Sequence, residues 1–220
     1  RHLAILAPFL ESQPMVNAVS LAYNPVFHFD GEEVRRAFIA YVQERFPDRQ
    51  QLNRIWHAHL ADFDDITIWD DTAPEYSYQN RRAYQYEWQT FHRGLATEFV
   101  WRIREQARGL AHGLPVMITL PDTPFESGES RQGVDRERVL AMMDISGCSV
   151  TTDPVDSYYA LSYPRLSAFY TLLRSFQPGK PVFALDKRVV LGPDLDADFA
   201  YRYVFSAIWE GVISGMNAVA

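Results

Sequence analysis

Three aspartates, Asp122, Asp153 and Asp186, stand 31 and 33 positions apart, and each closes a strand-like run. The clearest case is Gly179–Asp186 (GKPVFALD). Pro181 opens the run, Val182–Leu185 shows no polar alternation, and Asp186 is the first residue a core would not hold unpaired. Carboxylates delivered by buried strands can act as nucleophiles, take up protons or hold hydroxyl groups of a ligand. They can also cap the loop or helix that follows, and for Asp186 taken alone that is the simpler reading. Tyr23 and Asn24 stand at the end of an earlier run. Trp69 and Tyr76 lie in the segment 61–79, which is rich in Asp, Trp, Tyr and Pro and lacks a clean period, as an ordered functional loop would. Aromatic rings and carboxylates of this kind suit stacking on a sugar and recognition of its hydroxyls.

Composition narrows the function classes. With 220 residues, 47% hydrophobic and 14% aromatic, the chain can bury a large core and is expected to form one folded unit. A net charge of −7 and the lack of a basic stripe argue against nucleic-acid binding. The single cysteine, Cys148, excludes an intrachain disulfide and reads as a small core residue. No apolar run reaches membrane-spanning length, no membrane partner is expected, and the start carries no signal-peptide pattern. The first residue is Arg1, inside a helix-like stretch, as expected of a processed or trimmed chain. No cofactor motif or metal-ligand set stands out, so neither a cofactor nor a metal is expected.

The elements that must position these residues follow from periodicity. Arg1–Leu10 reads as a terminal helix turn, and Met15–Tyr23 as a strand stopped by Asn24-Pro25. Val34–Arg45 is an amphipathic helix ended by Phe46-Pro47, and a short helix carries Leu52, Asn53, Ile55 and Trp56. Arg81–Arg108 is a long helix whose stripe Tyr84, Trp88, Phe91, Leu95, Phe99, Ile103 reads as a face packed on a sheet. Strands are expected at Val116–Leu120, Cys148–Thr152, Val182–Leu185 and Met216–Ala220, alternating with helices over Val134–Met143, Tyr163–Phe176 and Ala197–Ile213. The alternation is that of an α/β fold with a parallel sheet and a site at the strands' carboxyl edge. Spacing of a little over thirty residues per unit matches a (β/α)₈ barrel of roughly 250 residues. Only five strands are expected where a closed barrel has eight. The three others are then expected from segments outside the sequence or from another chain.

The order of segments resembles family 42 glycoside hydrolases, which are β-galactosidase-type barrels. The resemblance rests on Glu33–Phe46 (EVRRAFIAYVQERF) followed by Gln51–Trp56 (QLNRIW), the strand ending at Asp153 with Tyr163-Pro164 nearby, Leu173–Ser175, Lys180-Pro181 and Trp209–Met216 (WEGVISGM). It runs over nearly the whole chain and implies a single partial barrel domain over 1–220, from the fourth barrel strand to the eighth. In that family two glutamates act, an acid/base after the fourth strand and a nucleophile after the seventh, set roughly 5–5.5 Å apart for retaining hydrolysis. Here the resemblance places Tyr23-Asn24 at the first position, or Asn24-Pro25 if shifted by one, neither of which supplies a carboxylate, and Asp186 at the second.

An amide cannot protonate a leaving alkoxide, so Asn24 can hold a sugar hydroxyl but cannot serve as general acid. Asp186 keeps the charge and is one methylene shorter. Asp30, Glu32 and Asp122 are possible substitute carboxylates, although a helix cap and solvated loop positions explain them more simply. The implied function is that of a carbohydrate-active barrel with weakened or lost hydrolysis. Asn24 and Asp186 stand at its catalytic positions, and Tyr23, Trp69, Tyr76, Asp122 and Asp153 contact a carbohydrate ligand. Two alternatives stand beside it. One is a non-catalytic carbohydrate-binding or assembly module. The other is an active hydrolase in which Asp186 attacks and another acid protonates.

Overall fold

The computed structural model describes residues 8, 16–68, 82–110, 113–122, 133–152, 163–192 and 196–219. Most of the expected helix turn Arg1–Leu10, and the candidate residues Trp69, Tyr76 and Asp153, lie outside them. Contacts gather into two compact units. One comprises Arg1–Pro25, Phe99–Glu126 and Arg136–Ala220, and the other Val26–Glu98 and Ser127–Asp135.

The first unit is built on a five-stranded sheet, β1 (Val19–Tyr23), β2 (Val116–Pro121), β3 (Ile145–Thr152), β4 (Val182–Val189) and β5 (Ala218–Val219). All neighbouring pairs are parallel and the spatial order follows the chain. This is the α/β alternation expected from the sequence, since short apolar runs without polar alternation form strands buried on both faces. The register divides the side chains cleanly. Ile118, Leu120, Cys148, Val182 and Ala184 share one face and are almost wholly buried. The helix Tyr163–Phe176 buries Leu166, Phe169, Tyr170 and Leu173, and Ala197–Ser214 buries Ala207; Tyr170 stands near enough to Cys148 of this face to feel its charge. Asp196 caps the second of these helices by accepting from the Asp198 and Phe199 amides at 3.0 Å, and Gly215, at φ 111°, ends it in the left-handed conformation that favours glycine.

Strand boundaries depart from the sequence expectation in an informative way. β4 runs four residues past Leu185, so Asp186 lies within the strand rather than at its end. Lys187, Arg188 and Val189 still pair with Val150, Thr151 and Thr152, and backbone pairing outlasts the apolar run that marked the strand. β3 likewise starts at Ile145, because Ser146 and Gly147 are paired on both sides. The last strand is shorter than Met216–Ala220; Met216 precedes it, buried beside the Tyr170 hydroxyl at 3.6 Å.

Gly147 marks the tightest approach in the sheet. A Cβ there would sit 2.6 Å from the Ile118 carbonyl oxygen, which is main chain of β2 and cannot rotate aside. Gly147→Ala is therefore expected to destabilise the protein by about 3 kcal/mol or more. Chemical denaturation checks this, and a loss below about 1 kcal/mol would show that the two strands separate easily.

The second unit is helical at its core. It contains α1 (Glu32–Arg45), α2 (Arg49–Trp56), a single 3₁₀ turn at Phe63–Asp65 and the portion up to Glu98 of α3 (Arg82–Leu110). Phe38, Ile39 and Val42 of α1, Leu52 and Trp56 of α2, Ile66, and Tyr84, Trp88 and Phe91 of α3 form one buried cluster. The part of the α3 stripe from Tyr84 to Leu95 thus packs on helices and not on a sheet, because the apolar faces of α1 and α2 supply the partner surface, whereas Phe99 and Ile103 belong to the first unit. Asp48 caps α2 through the Gln50 amide at 2.8 Å. Glu87, buried at 6% exposure, is satisfied by the Tyr41 hydroxyl at 3.1 Å and Arg45 at 3.0 Å.

Candidate functional site

Strand alternation alone would put Asp186 on the same face as Ala184, against the helices. The pairing of β3 with β4 slips between Cys148 and Ser149: Ala184 lies beside Cys148, and Asp186 beside Ser149, with Leu185 as the extra residue. One extra residue exchanges the faces of everything beyond it, so Asp186 emerges on the opposite face, with Ser149. β1 has a similar irregularity between Ser20 and Tyr23, which brings Tyr23 beside Thr119 on that same face. Two slips of register therefore assemble Tyr23, Ser149 and Asp186 on one side of the sheet near its carboxyl edge.

The contacts follow. The Tyr23 hydroxyl donates to Asp186 Oδ2, and Arg188 pairs with that oxygen at 3.2 Å. Arg188 and Asp186 are two apart on one strand and so share a face. Asn24 leaves β1 with φ 43°, a left-handed position that asparagine tolerates better than most residues. Its amide N–H donates to the Thr119 carbonyl at 2.8 Å, and its side-chain oxygen accepts from Ser149 Oγ at 2.9 Å. With that oxygen engaged, the Asn24 NH₂ is the group able to meet a ligand hydroxyl.

Electrostatics at the site favour a fixed charge. The Tyr23 hydrogen bond, reinforced by Arg188 and opposed by partial desolvation, holds the Asp186 carboxyl below the usual carboxylate range. The same bond raises the Tyr23 phenol, which stays protonated. Asp186 can therefore attack as a carboxylate or hold a hydroxyl but is a poor proton donor near neutrality. Tyr23→Phe removes the largest lowering influence, so the carboxyl is expected to titrate at higher pH. Any activity needing ionised Asp186 should then lose its acid limb at higher pH than in the parent. A pH profile that does not move would show that Asp186 ionisation is not what limits it.

Asp122 follows β2 and is engaged by other partners. It is 8% exposed, its Oδ2 accepts from the Thr151 amide at 3.1 Å, and it pairs with Arg165 at 3.3 Å, so it ties β2 to β3 and to the helix that begins at Tyr163. Asp30 and Glu32 belong to the other unit. Glu32 is bonded by Arg35 at 2.8 Å and by Arg36 at 3.1 Å, and the Arg35 contact above all draws it down to about 2. Burial pushes the Cys148 thiol up to about 12, which makes it inert at neutral pH. No group of three or more His, Cys, Asp or Glu able to hold a metal ion occurs among the described residues, and no described helix is long and apolar enough to cross a membrane.

Ser149 and Arg188 were not evident as site residues from the sequence. The available signal was the period-two spacing of Asp186 and Arg188, visible only if the strand is taken past its apolar run. Lys187 points to the other face. Burial lowers its ammonium, its Nζ donates to Thr152 Oγ1 at 3.3 Å, and the buried Glu210 carboxyl, raised by desolvation, is among the charges acting on it.

No protein-family model and no curated protein sequence matches the chain. Solved structures do. A catalytic mutant of a GH42 β-galactosidase from G. stearothermophilus superposes with a TM-score of 0.71 at 14% identity, over 99% of this chain and 33% of that one. The apo exo-carrageenase GH42 from Bacteroides ovatus gives 0.69 at 16% identity, over 89% and 29%. The catalytic domain of a β-amylase from Paenibacillus polymyxa gives 0.62 at 13% identity, over 99% and 60%. The chain spans about a third of the length of the GH42 structures. The fold of the described residues is thus that of part of a (β/α)₈ barrel of the kind seen in family 42 β-galactosidases.

Proposed function

We propose that the protein is a carbohydrate-active barrel whose cleft binds a β-galactoside-like sugar through Tyr23, Asn24 and Asp186, with hydrolysis weakened at both catalytic positions. The observation that carries this reading is the cluster at the carboxyl edge, where an ionised Asp186 shares a face with Tyr23 and Ser149. Asn24 cannot supply the proton, and Asp186 is engaged by both Tyr23 and Arg188, which lowers its readiness to attack. Trp69, Tyr76 and Asp153 complete the binding set in this reading. The same internal satisfaction of Asn24 and Asp186 favours a second reading, a non-catalytic sugar-binding or assembly module. The barrel is completed by further strands pairing with β1 or β5, since edge strands carry unpaired backbone groups.

Aryl β-galactosides are the discriminating substrates, because an activated leaving group needs little protonation. Slow release of the aryl group is expected, and Asp186→Ala should abolish it. Robust turnover of unactivated galactosides that survives Asp186→Ala would place the site elsewhere. Sugar binding with no aryl hydrolysis would favour the binding module.

A further inference from the structure

The second unit holds a pocket of about 400 Å³ that belongs to no part of the sheet-edge site. Its wall is aromatic and aliphatic, formed by Trp56, Tyr84 and Leu60, with the Trp56 and Tyr84 ring centroids 4.8 Å apart and tilted by 48°. His57, His59 and Thr67, all exposed, contribute the polar side. The walls are fixed from behind. Trp56 packs against Phe38 in the helical core, and the Tyr84 hydroxyl is bound to the Thr67 carbonyl. Asn53 clamps Leu60 through two hydrogen bonds, at 3.0 Å from its side-chain amide and 2.9 Å to its side-chain oxygen. His57 turns the chain at φ 49°, which sets it and His59 along the pocket. Trp56 is 4% exposed, and its indole N–H is buried with no acceptor among the described residues.

We propose that this pocket is a second binding site, for a single neutral pyranose ring. The volume lies in the range of small-ligand sites, and rigid aromatic walls with few polar groups are their usual construction. The charge distribution argues for a neutral ligand. Asp65 lines the pocket and Asp62 and Asp64 flank it in sequence, which disfavours anions. Both Asp65 and Asp62 are committed to backbone amides of the 3₁₀ turn, and so are poorly placed to pair with a cation. A pyranose offers C–H groups to Leu60 and to the edges of Trp56 and Tyr84 that reach the pocket, and hydroxyls to the imidazoles and Thr67. The site stands on residues separate from Asp186, so it can hold or fail independently of the activity proposed above.

Methyl β-galactoside and methyl β-glucoside, titrated into ¹⁵N-labelled protein, test the proposal through the Trp56 indole N–H and the Ala58, Leu60 and Thr67 amides. Saturable shifts at these positions are expected, weakened at least about fivefold by His59→Ala or His57→Gly and unchanged by Asp186→Ala. Trp56→Phe assigns the indole signal; if it fails to fold, the two histidine variants carry the test. Absence of shifts at the highest soluble sugar concentration overturns the proposal, as do shifts that both histidine variants leave intact or that tetramethylammonium reproduces. Shifts confined to Tyr23, Ser149 and Asp186 overturn it and leave the sheet-edge site standing. Shifts at the pocket alone support it and count against sugar binding at Asp186.

Discussion

Replacing Asn24 and Asp186 together by glutamate is expected to raise kcat/KM for an unactivated β-galactoside by about 10²–10⁴, the range of general acid catalysis. Each single replacement should do far less, because an acid without a well-placed nucleophile, or the reverse, completes no retaining pair. Asn24 carries its side chain from a backbone at φ 43° and accepts from Ser149. A glutamate there incurs about 1–2 kcal/mol of left-handed strain and loses that hydrogen bond. The double variant should therefore be faster but less thermostable. Steady-state kinetics of the four proteins, with a melting curve for each, check both halves. Equal gains from either single change would show that the two positions do not act across one cleft.

Phe38→Ala is expected to cost about 3–5 kcal/mol, the largest stability effect of any single truncation proposed here. The ring is fully buried, with Trp88 edge-on at 5.0 Å, Phe91 at 5.2 Å and Trp56 and Tyr84 at 6.4 and 6.0 Å. Removing it opens a cavity that rigid rings cannot close by rotamer change, whereas a core of aliphatic chains would relax. Urea denaturation followed by tryptophan fluorescence reads this directly, since Trp56 and Trp88 both touch the cavity. A loss below about 1 kcal/mol would mean that the cluster repacks.

The parallel sheet was legible because its strands are short apolar runs, and runs such as Val116–Leu120 and Val182–Leu185 have no other comfortable place in a chain alternating with helical periods. The face on which Asp186 lies was not legible. Straight alternation from Ala184 gives the wrong face, and the one-residue slip at Leu185 that corrects it has no signature in residue type. Arg188 was hidden for a related reason: a strand that continues by backbone pairing after its apolar residues end looks like a loop. The α3 stripe shows the converse limit. Tyr84, Trp88 and Phe91 announce a buried face plainly, but periodicity does not say whether a sheet or two other helices will cover it. Asp122 and Asp186 read alike in sequence, each closing an apolar run. The structure separates them by partner: one is tied to Arg165 and the Thr151 amide, the other to Tyr23 and Arg188.

The proposed role of Asp186 as the nucleophilic carboxylate of a weakened galactosidase-type site is tested most directly by an activated fluorogalactoside, which traps the glycosyl-enzyme intermediate for peptide mapping. A single adduct is predicted, formed slowly, on the peptide containing Asp186, absent from Asp186→Ala and slower to form at low pH in Tyr23→Phe than in the parent. An adduct on any other carboxylate, or none after prolonged exposure to saturating reagent, would contradict the account.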